Sequence, residues 1–378
     1  RQAHSQPGRQ PRGHAAELLP TRRPRALPGA RRDTGPRHQQ PHPGRGTQQT
    51  QRDKEDSRGK VGWSNIHKSI QNIMTKAKPF IKWVGGKSQL ITQLEALLPP
   101  DFDRRNDVTY IEPFVGGGAM LFSMLQRHKN IRQAVINDIN PDLTTCYKTV
   151  RDQPTELIRS LATIQEDYYK IEGYEAKKEY YLHIRDRFNE KPSDPIENTT
   201  LFFFLNRTCF NGLYRVNKSG RFNVPYGRYE RPVICDAETI YADSKLLQNV
   251  IILTGDFEQT FDYINHDTFF YFDPPYRPLS NTSSFNDYTK EAFNDDSQIR
   301  LKLFCDRLQK SKVPFMLSNS DCLGKNGTDY FFDDLFQDYN IQRVWACRSI
   351  NANGTKRGKL TEILVSNYSH GNNTVNSY

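Results

Sequence analysis

The chain has 378 residues, 36% of them hydrophobic and 25% charged, which is enough to bury one large core or two ordinary ones and excludes a wholly disordered protein. No run of 18 apolar residues occurs and the start lacks the basic, apolar, small-residue order of a signal peptide, so the reading is a soluble, cytoplasmic protein with no membrane partner. The net charge of +10 is unevenly placed: residues 1–73 carry 15 Lys and Arg against 5 Asp and Glu, and residues 74–378 hold 38 of each.

The head, residues 1–73, is rich in Arg, Pro, Gln and Gly and poor in aliphatics, a composition that cannot bury enough surface to offset chain entropy, so disorder is expected there. The first methionine is Met74, where the preference for Arg gives way to Lys, Asn, Ile, Tyr and Phe. Met74 is therefore the expected natural start and residues 1–73 a non-native extension; a native basic arm that binds DNA is the alternative. A chain trimmed to residues 74–378 should keep full specific activity at several salt concentrations, and a large loss would favour the arm. The six cysteines, Cys146, Cys209, Cys235, Cys305, Cys322 and Cys347, are far apart with no Cys-x-x-Cys pair, so neither a zinc site nor a disulfide framework is expected.

Along the body, Val-Thr-Tyr-Ile-Glu (108–112) is a β-prone run, followed by Gly116-Gly117-Gly118 and a helical stretch from Ala119 to Gln126. A second run, Gln133–Asn137, ends at Asp138. Residues 155–190 have a charged helical pattern, then come an aromatic run and a segment punctuated by Gly, Asn and Pro. Further β-prone runs at 249–253, 268–272, 313–318 and 361–366 alternate with helical stretches such as 290–310. Such alternation predicts an α/β fold with a doubly wound, mostly parallel sheet. The expected division is an α/β body at 74–150 and 248–378, interrupted at 151–247 by an insertion carrying partner specificity. The Asn-rich end (Asn372, Asn373, Asn376) reads as a frayed terminus.

Glycines at a strand-to-helix turn let a ligand approach the backbone, and an acid at the end of the next strand can take both hydroxyls of a ribose. Glu112, Phe114, Gly116 and Gly118 with Asp138 are thus candidate cofactor residues. The pattern Gly116-x-Gly118-x-x-Leu121 lacks the third glycine of the dinucleotide fingerprint, and many glycine turns bind nothing. Gly86-Lys87-Ser88 is not a phosphate-binding loop, because Ile81 stands where that motif needs its first glycine, so ATP is not implied.

The run Thr268-Phe-Phe-Tyr-Phe delivers Asp273, Pro274, Pro275 and Tyr276 to a strand's carboxyl end, where open α/β sheets place ligands. Two prolines remove two N–H donors, leaving carbonyl acceptors beside the acid. An amine with two N–H bonds suits such a site: Asp273 and the Pro274 carbonyl can orient it, and Tyr276 can stack on an attached base. A plain strand-end turn would account for the prolines but not for the acid and aromatic that bracket them.

With these residues in view, the chain resembles the α-group DNA adenine-N6 methyltransferases of the Dam and DpnII type, which methylate GATC. The resemblance covers nearly all of 74–378. It rests on Pro79-Phe-Ile-Lys-Trp-Val-Gly-Gly-Lys87, Glu112-Pro-Phe-Val-Gly-Gly-Gly118, Asn137-Asp138-Ile-Asn140, Asn206-Arg-Thr-Cys-Phe-Asn-Gly-Leu-Tyr-Arg215, Gly220-Arg-Phe-Asn-Val-Pro-Tyr-Gly-Arg-Tyr229 and Asp273-Pro-Pro-Tyr276, in the family's order. It implies a Rossmann-like methyltransferase fold and S-adenosylmethionine as methyl donor, held by Trp83, Lys87, Asp138 and Asp273. It implies catalysis by Asp273–Tyr276 and target contacts from Lys82, Leu213, Arg215, Pro225, Arg228 and Tyr229. A cognate restriction endonuclease is an implied partner if the enzyme belongs to a restriction system; an orphan methylase is the other role.

The residues make physical sense of this. Segment 206–231 holds Arg207, Arg215, Lys218, Arg221, Arg228 and Arg231 against one acid, Glu230, interleaved with Phe210, Tyr214, Phe222, Tyr226 and Tyr229. Gly212 and Asn217-Lys-Ser-Gly220 are turn chemistry, so a hairpin or loop could offer Arg215 to a guanine edge. Arg207 and Asn211 in the same block are expected to touch DNA, the other cations to hold phosphates. The expected reaction flips the target adenine out of the duplex and transfers the methyl directly to its amino nitrogen, without metal or covalent enzyme intermediate. Amino-group methylation of RNA or of protein glutamine, a non-enzymatic DNA-binding regulator and a nicotinamide enzyme are the rivals.

Overall fold

A computed structural model describes residues 75–277, 293–323, 328–347 and 359–370; the expectations for residues 1–73 and for the Asn-rich end lie outside them. All described residues belong to the unit spanning Ser64–Tyr378.

The strands are β1 (Val108–Glu112), β2 (Ile131–Asp138), β3 (Val250–Thr254), β4 (Thr268–Phe272), β5 (Phe315–Ser320), β6 (Asn340–Cys347) and β7 (Lys359–Ser366), in the order β3-β2-β1-β4-β5-β7-β6. β1 to β5 run parallel, while β7 is antiparallel to both β5 and β6. The expected mostly parallel sheet is thus observed. Every residue of β1, β4 and β5 is buried, as strands covered on both faces must be. β6 was not expected from the sequence: it lies at the sheet's edge, and Asn340, Gln342 and Arg343 break up its apolar run.

Alternation along the strands splits the core in two. Tyr110, Ala134, Ile136, Phe269, Tyr271, Met316 and Leu364 face one cluster, and Ile111, Val135, Phe270, Phe272, Phe315, Leu317, Ile363 and Val365 face the other. The second is covered by α8 (Asp295–Lys310) and α9 (Phe331–Leu335).

The first is covered by α2 (Ala119–Arg127), α3 (Pro141–Asp152) and α7 (Ala237–Leu247); a short α1 (Ile91–Glu95) precedes β1. The same apolar cluster continues without a break into α4 (Pro154–Lys170), α5 (Tyr174–Asn189) and α6 (Pro195–Thr208). The aromatic run is the centre of α6, where Leu201 to Leu205 are all buried; a helix apolar on every side must be enclosed, and α6 packs against α3, α4 and α5. Asp194 starts it, its carboxylate accepting from Ile196 N at 3.1 Å, with Pro195 in the first helical position. Among the described residues no helix is long and apolar enough to cross a membrane.

Candidate active site

Two turns meet at the carboxyl edge of the parallel strands. The first follows β1. Gly116 and Gly118 have φ of +49° and +73°, and a Cβ on Gly116 would lie 2.9 Å from Trp83 Cδ1, so only glycine fits beneath that indole. Trp83 in turn stacks on Tyr214 at 5.6 Å. Tyr147, buried on α3, donates its hydroxyl to the Gly116 carbonyl at 3.0 Å. Asp138, at the end of β2, closes the turn: Oδ2 accepts from Gly116 N at 3.2 Å and Oδ1 from Asn140 N at 2.9 Å. Burial raises the Asp138 carboxyl to about 6, against the pull of those backbone N–H groups. Phe114 packs on Phe257 beside the turn.

The second turn follows β4. Asp273 is half-buried, Pro274 buried, Pro275 exposed and Tyr276 half-buried. Asp273 Oδ1 takes the Lys87 ammonium at 3.0 Å and the Ser318 hydroxyl at 3.3 Å. Lys87 is only 4% exposed, so it is not the ordinary surface lysine its chemistry would suggest. Its Nζ also donates to the Tyr276 hydroxyl and lies 4.2 Å from the centre of that ring. Tyr276 donates onward to Glu362 Oε2 at 2.7 Å. Beneath the turn, Gln298 Nε2 donates to the Pro275 carbonyl at 3.1 Å, and Asn319 Nδ2 steadies Gln298 Oε1 at 3.1 Å. Both amides are buried, a fixed polar floor.

Burial lifts Asp273 to about 6; Lys87 pulls it down and Glu362 pushes it up. Glu112, buried at the end of β1 and accepting from Tyr110, is raised to about 8, burial being the largest cause and nearby Asp273 adding to it. Near neutrality Asp273 is therefore mostly ionised while Glu112 keeps its proton. Asp273 Oδ1 thus already accepts from one ammonium, that of Lys87, with the carboxyls of Glu112 and Glu362 nearby.

The basic, aromatic segment forms a third feature. Arg215 to Asn223 is a short hairpin closed by Asn217 and Gly220: Asn223 N donates to the Arg215 carbonyl at 3.1 Å and Gly220 N to the Asn217 carbonyl at 2.8 Å. The Arg215 guanidinium rests on Asn223, Nε to Oδ1 at 2.8 Å. Tyr168 and Tyr181, buried on α4 and α5, hold the following stretch through the Tyr229 and Val224 carbonyls at 2.6 and 2.7 Å. Lys82, Asn211, Leu213, Pro225 and Tyr229 gather around the Cys209–Gly212 turn: Phe210 N donates to the Pro225 carbonyl at 2.9 Å, and Lys82 Nζ sits 5.1 Å from the Tyr229 ring, whereas the Arg228 guanidinium lies 5.3 Å from the Tyr174 ring of α5. Lys82, Phe210, Asn211, Pro225 and Arg228 are exposed. Arg207 stands apart: partly buried on α6, it donates to the Phe80 carbonyl at 2.7 Å, and burial lowers its pKa.

Sequence reasoning gave no role to Asn206, Glu362, Ser318 or Gln298. Asn206 is buried and ties two segments together: Lys82 N donates to its Oδ1 at 2.8 Å, and its Nδ2 donates to the Lys82 carbonyl at 2.8 Å and to the Gly212 carbonyl at 3.1 Å. A Cβ on Gly212 would lie 2.5 Å from Lys82 Cδ, which explains the glycine in that turn. The signal available was a lone polar residue at the end of an apolar helix, and for Glu362 a lone acid in an apolar strand.

A sheet whose sixth-placed strand runs against its neighbours, with paired turns at the carboxyl ends of β1 and β4, is a Rossmann-like methyltransferase fold. The model of one family, the D12 class N6 adenine-specific DNA methyltransferases, matches residues 83–350. The type II methyltransferase M.MjaIII of Methanocaldococcus jannaschii is 47% identical over 296 residues, covering 78% of this chain and 100% of that protein. The type II methyltransferase M1.LlaDCHI of Lactococcus lactis subsp. cremoris is 38% identical, over 79% of this chain and 98% of its own. The DNA adenine methylase of Escherichia coli is 31% identical, over 77% and 96%. The chain belongs to the D12 class: it is an adenine-specific DNA methyltransferase that uses a methyl donor, and the RNA, protein, regulator and nicotinamide readings fall away.

Proposed function

We propose that the enzyme transfers the methyl group of S-adenosylmethionine to N6 of adenine within GATC in double-stranded DNA. The observation that carries the reading is the pairing of a half-buried carboxylate, Asp273, already holding an N–H donor, with the carbonyl of Pro274 in a turn that offers no N–H from two successive residues. The fit to the methyl donor rests on the glycine turn clasped by Trp83, with the Asp138 carboxylate at its side and Phe114 and Phe257 flanking it. Trp83, Lys87, Glu112, Phe114, Gly116, Gly118, Asp138 and Asp273 would hold it. When bound, it supplies an electrophilic methyl on a sulfonium.

The chain's own work is positioning. Asp273 and the Pro274 carbonyl accept the two N–H bonds of the adenine amino group, turning its electron pair toward the electrophile, and Tyr276 stacks on the flipped base. The Lys87 ammonium must leave Oδ1 to the incoming amine. The fixed dipoles of Gln298, Asn319 and Ser318 keep the turn from reorganising as charge develops on nitrogen. Once methylated, that nitrogen becomes strongly acidic and gives its proton to Asp273 or water.

Residues 151–247 form the recognition insertion between the two parts of the catalytic core. Arg215 reads a guanine edge, while Lys82, Asn211, Leu213, Pro225, Arg228 and Tyr229 clamp the duplex; Arg207, bonded to the Phe80 carbonyl, braces that surface from behind rather than touching DNA. The enzyme acts in the cytoplasm, either in a restriction–modification system beside a restriction endonuclease of the same site, which the relatives named type II methyltransferases favour, or as an orphan methylase, which the relatives named DNA adenine methylase favour. Plasmid treated with enzyme and S-adenosylmethionine should resist a GATC nuclease blocked by adenine methylation; full cleavage would refute the target.

A further inference from the structure

Strand β7 runs backward in the sheet, so its first half, not its last, reaches the edge where β1 and β4 end. Glu362 sits there, opposite Ser320 of β5 and Val344 of β6. It is the acid in the run Thr361-Glu-Ile-Leu-Val365, and alternation puts it on the same sheet face as Leu364, Tyr271 and Asp273. An acid in a covered strand is costly unless paired. Glu362 is paired twice, with the Tyr276 hydroxyl at 2.7 Å and with Lys87 Nζ at 3.4 Å.

We propose that Glu362 is a positioning residue of the methyl-transfer site: from β7 it holds the Tyr276 hydroxyl and shares the Lys87 ammonium with Asp273. The inference rests on the reading of Asp273–Tyr276 as the catalytic turn. Two consequences follow from the geometry. The Tyr276 ring is anchored at its far end and has the Lys87 ammonium 4.2 Å from its centre on one side, so its angle is set before a base arrives on the other. Lys87, 3.0 Å from Asp273 Oδ1 and 3.4 Å from Glu362 Oε2, has a second carboxylate to move to when the substrate amine takes its place on Oδ1.

Asp273 is faced by Lys87 from the segment before α1, by Glu362 from β7, by Glu112 from β1 and by Tyr271 and Tyr276 from its own strand and turn. Both tyrosines are raised far above neutrality, burial being the first cause, and Glu112 titrates only at about 8. Lys87 and Glu362 are therefore the charges that act on Asp273 on the acid side of neutrality.

The test compares Glu362→Gln, Tyr276→Phe and the double variant in steady-state methylation of a duplex over pH 5 to 8, with Asp273→Asn as control. Glu362→Gln should lower kcat roughly 10- to 100-fold with KM for DNA little changed. Its acid limb should move to lower pH, because a negative charge leaves the neighbourhood of Asp273. The double variant should lose less than the product of the two single losses, since the singles share the Tyr276–Glu362 contact while each also touches Lys87. Glu362→Asp keeps the charge but draws it back by one carbon; it should lose kcat while leaving the acid limb in place, and it serves if the Gln variant does not fold. Wild-type kcat in either Glu362 variant, or losses that multiply in the double, would overturn the proposal. If Asp273→Asn were active, the catalytic reading itself would fail; if it is inactive while Glu362→Gln matches wild type, only the role of Glu362 falls.

Discussion

The proposed catalytic edge and the proposed recognition turn are built in opposite ways from the same backbone chemistry. Around Asp273 the ionisable side chains are largely withdrawn from water and satisfied by one another: Lys87 by Asp273 and Glu362, Tyr276 by Glu362, Asp273 by Ser318. Around Cys209–Tyr229, Lys218, Arg221 and Arg228 stand outward, Arg215 rests on Asn223, and the holding is done from behind, by Asn206, Tyr168 and Tyr181 bonding to main-chain carbonyls. Chemistry on a weakly nucleophilic amine needs a dry, preset cradle. Reading a polyanion needs charge that water and phosphate can reach, on a frame stiff enough to keep register.

Substitutions can break that contrast. The largest effect belongs to the dry edge: Asp273→Ala should lower kcat on the order of 10³-fold with the thermal unfolding midpoint and DNA affinity near wild type. A purified variant with near-normal turnover would remove Asp273 from the chemistry. Next comes the hidden frame of the recognition turn. Asn206→Ala removes the partner of the part-buried Lys82 N–H and carbonyl and of the Gly212 carbonyl, whose bond is buried and whose loss costs about 1–3 kcal/mol before relaxation. It should lower the unfolding midpoint and weaken binding to every duplex alike, read by thermal melts and filter binding. Arg215→Ala should instead cost about 1–3 kcal/mol of discrimination at one guanine while changing affinity for random DNA less. A uniform loss across sequences would make Arg215 a phosphate contact.

The smallest effect is on pH. Asp273 stands at about 6, raised by burial, and must be ionised to accept the amine, so kcat should fall as pH drops through 6 and be flat above 7. The sign for stability follows from the same shift. A buried carboxyl that binds its proton more tightly when folded favours the folded state at low pH, so Asp273, Asp138 and Glu112 each oppose folding once pH exceeds their unfolded values, near 4. Burial of their charged forms is a stability cost borne by the site, and Asp273→Ala should not lower the melting temperature at pH 8.

Much of the catalytic edge was legible in the sequence because its members are contiguous. Asp273, Pro274, Pro275 and Tyr276 sit in one run, Gly116 and Gly118 in another, and Asp138 lies one strand further on. The parallel strands announced themselves as short apolar runs. Edge strand β6 did not, because among the described residues one of its flanks meets no further strand and its pattern is mixed with polar residues. Partners far apart in sequence were invisible: Lys87 meets Tyr276 across 189 positions, and Asn206 meets Lys82 across 124. Composition marked segment 206–231 as basic and aromatic, but it could not separate Arg207, turned inward to Phe80, from Arg228, which stands in solvent.

The most direct test follows the methyl group itself. Wild-type enzyme with tritiated S-adenosylmethionine and a duplex bearing one GATC site should place label in N6-methyladenine, and almost none in the same duplex with that adenine replaced by purine, which lacks the 6-amino group. Equal labelling of the purine duplex would contradict the claim that Asp273 and Pro274 present an amino nitrogen to the methyl donor.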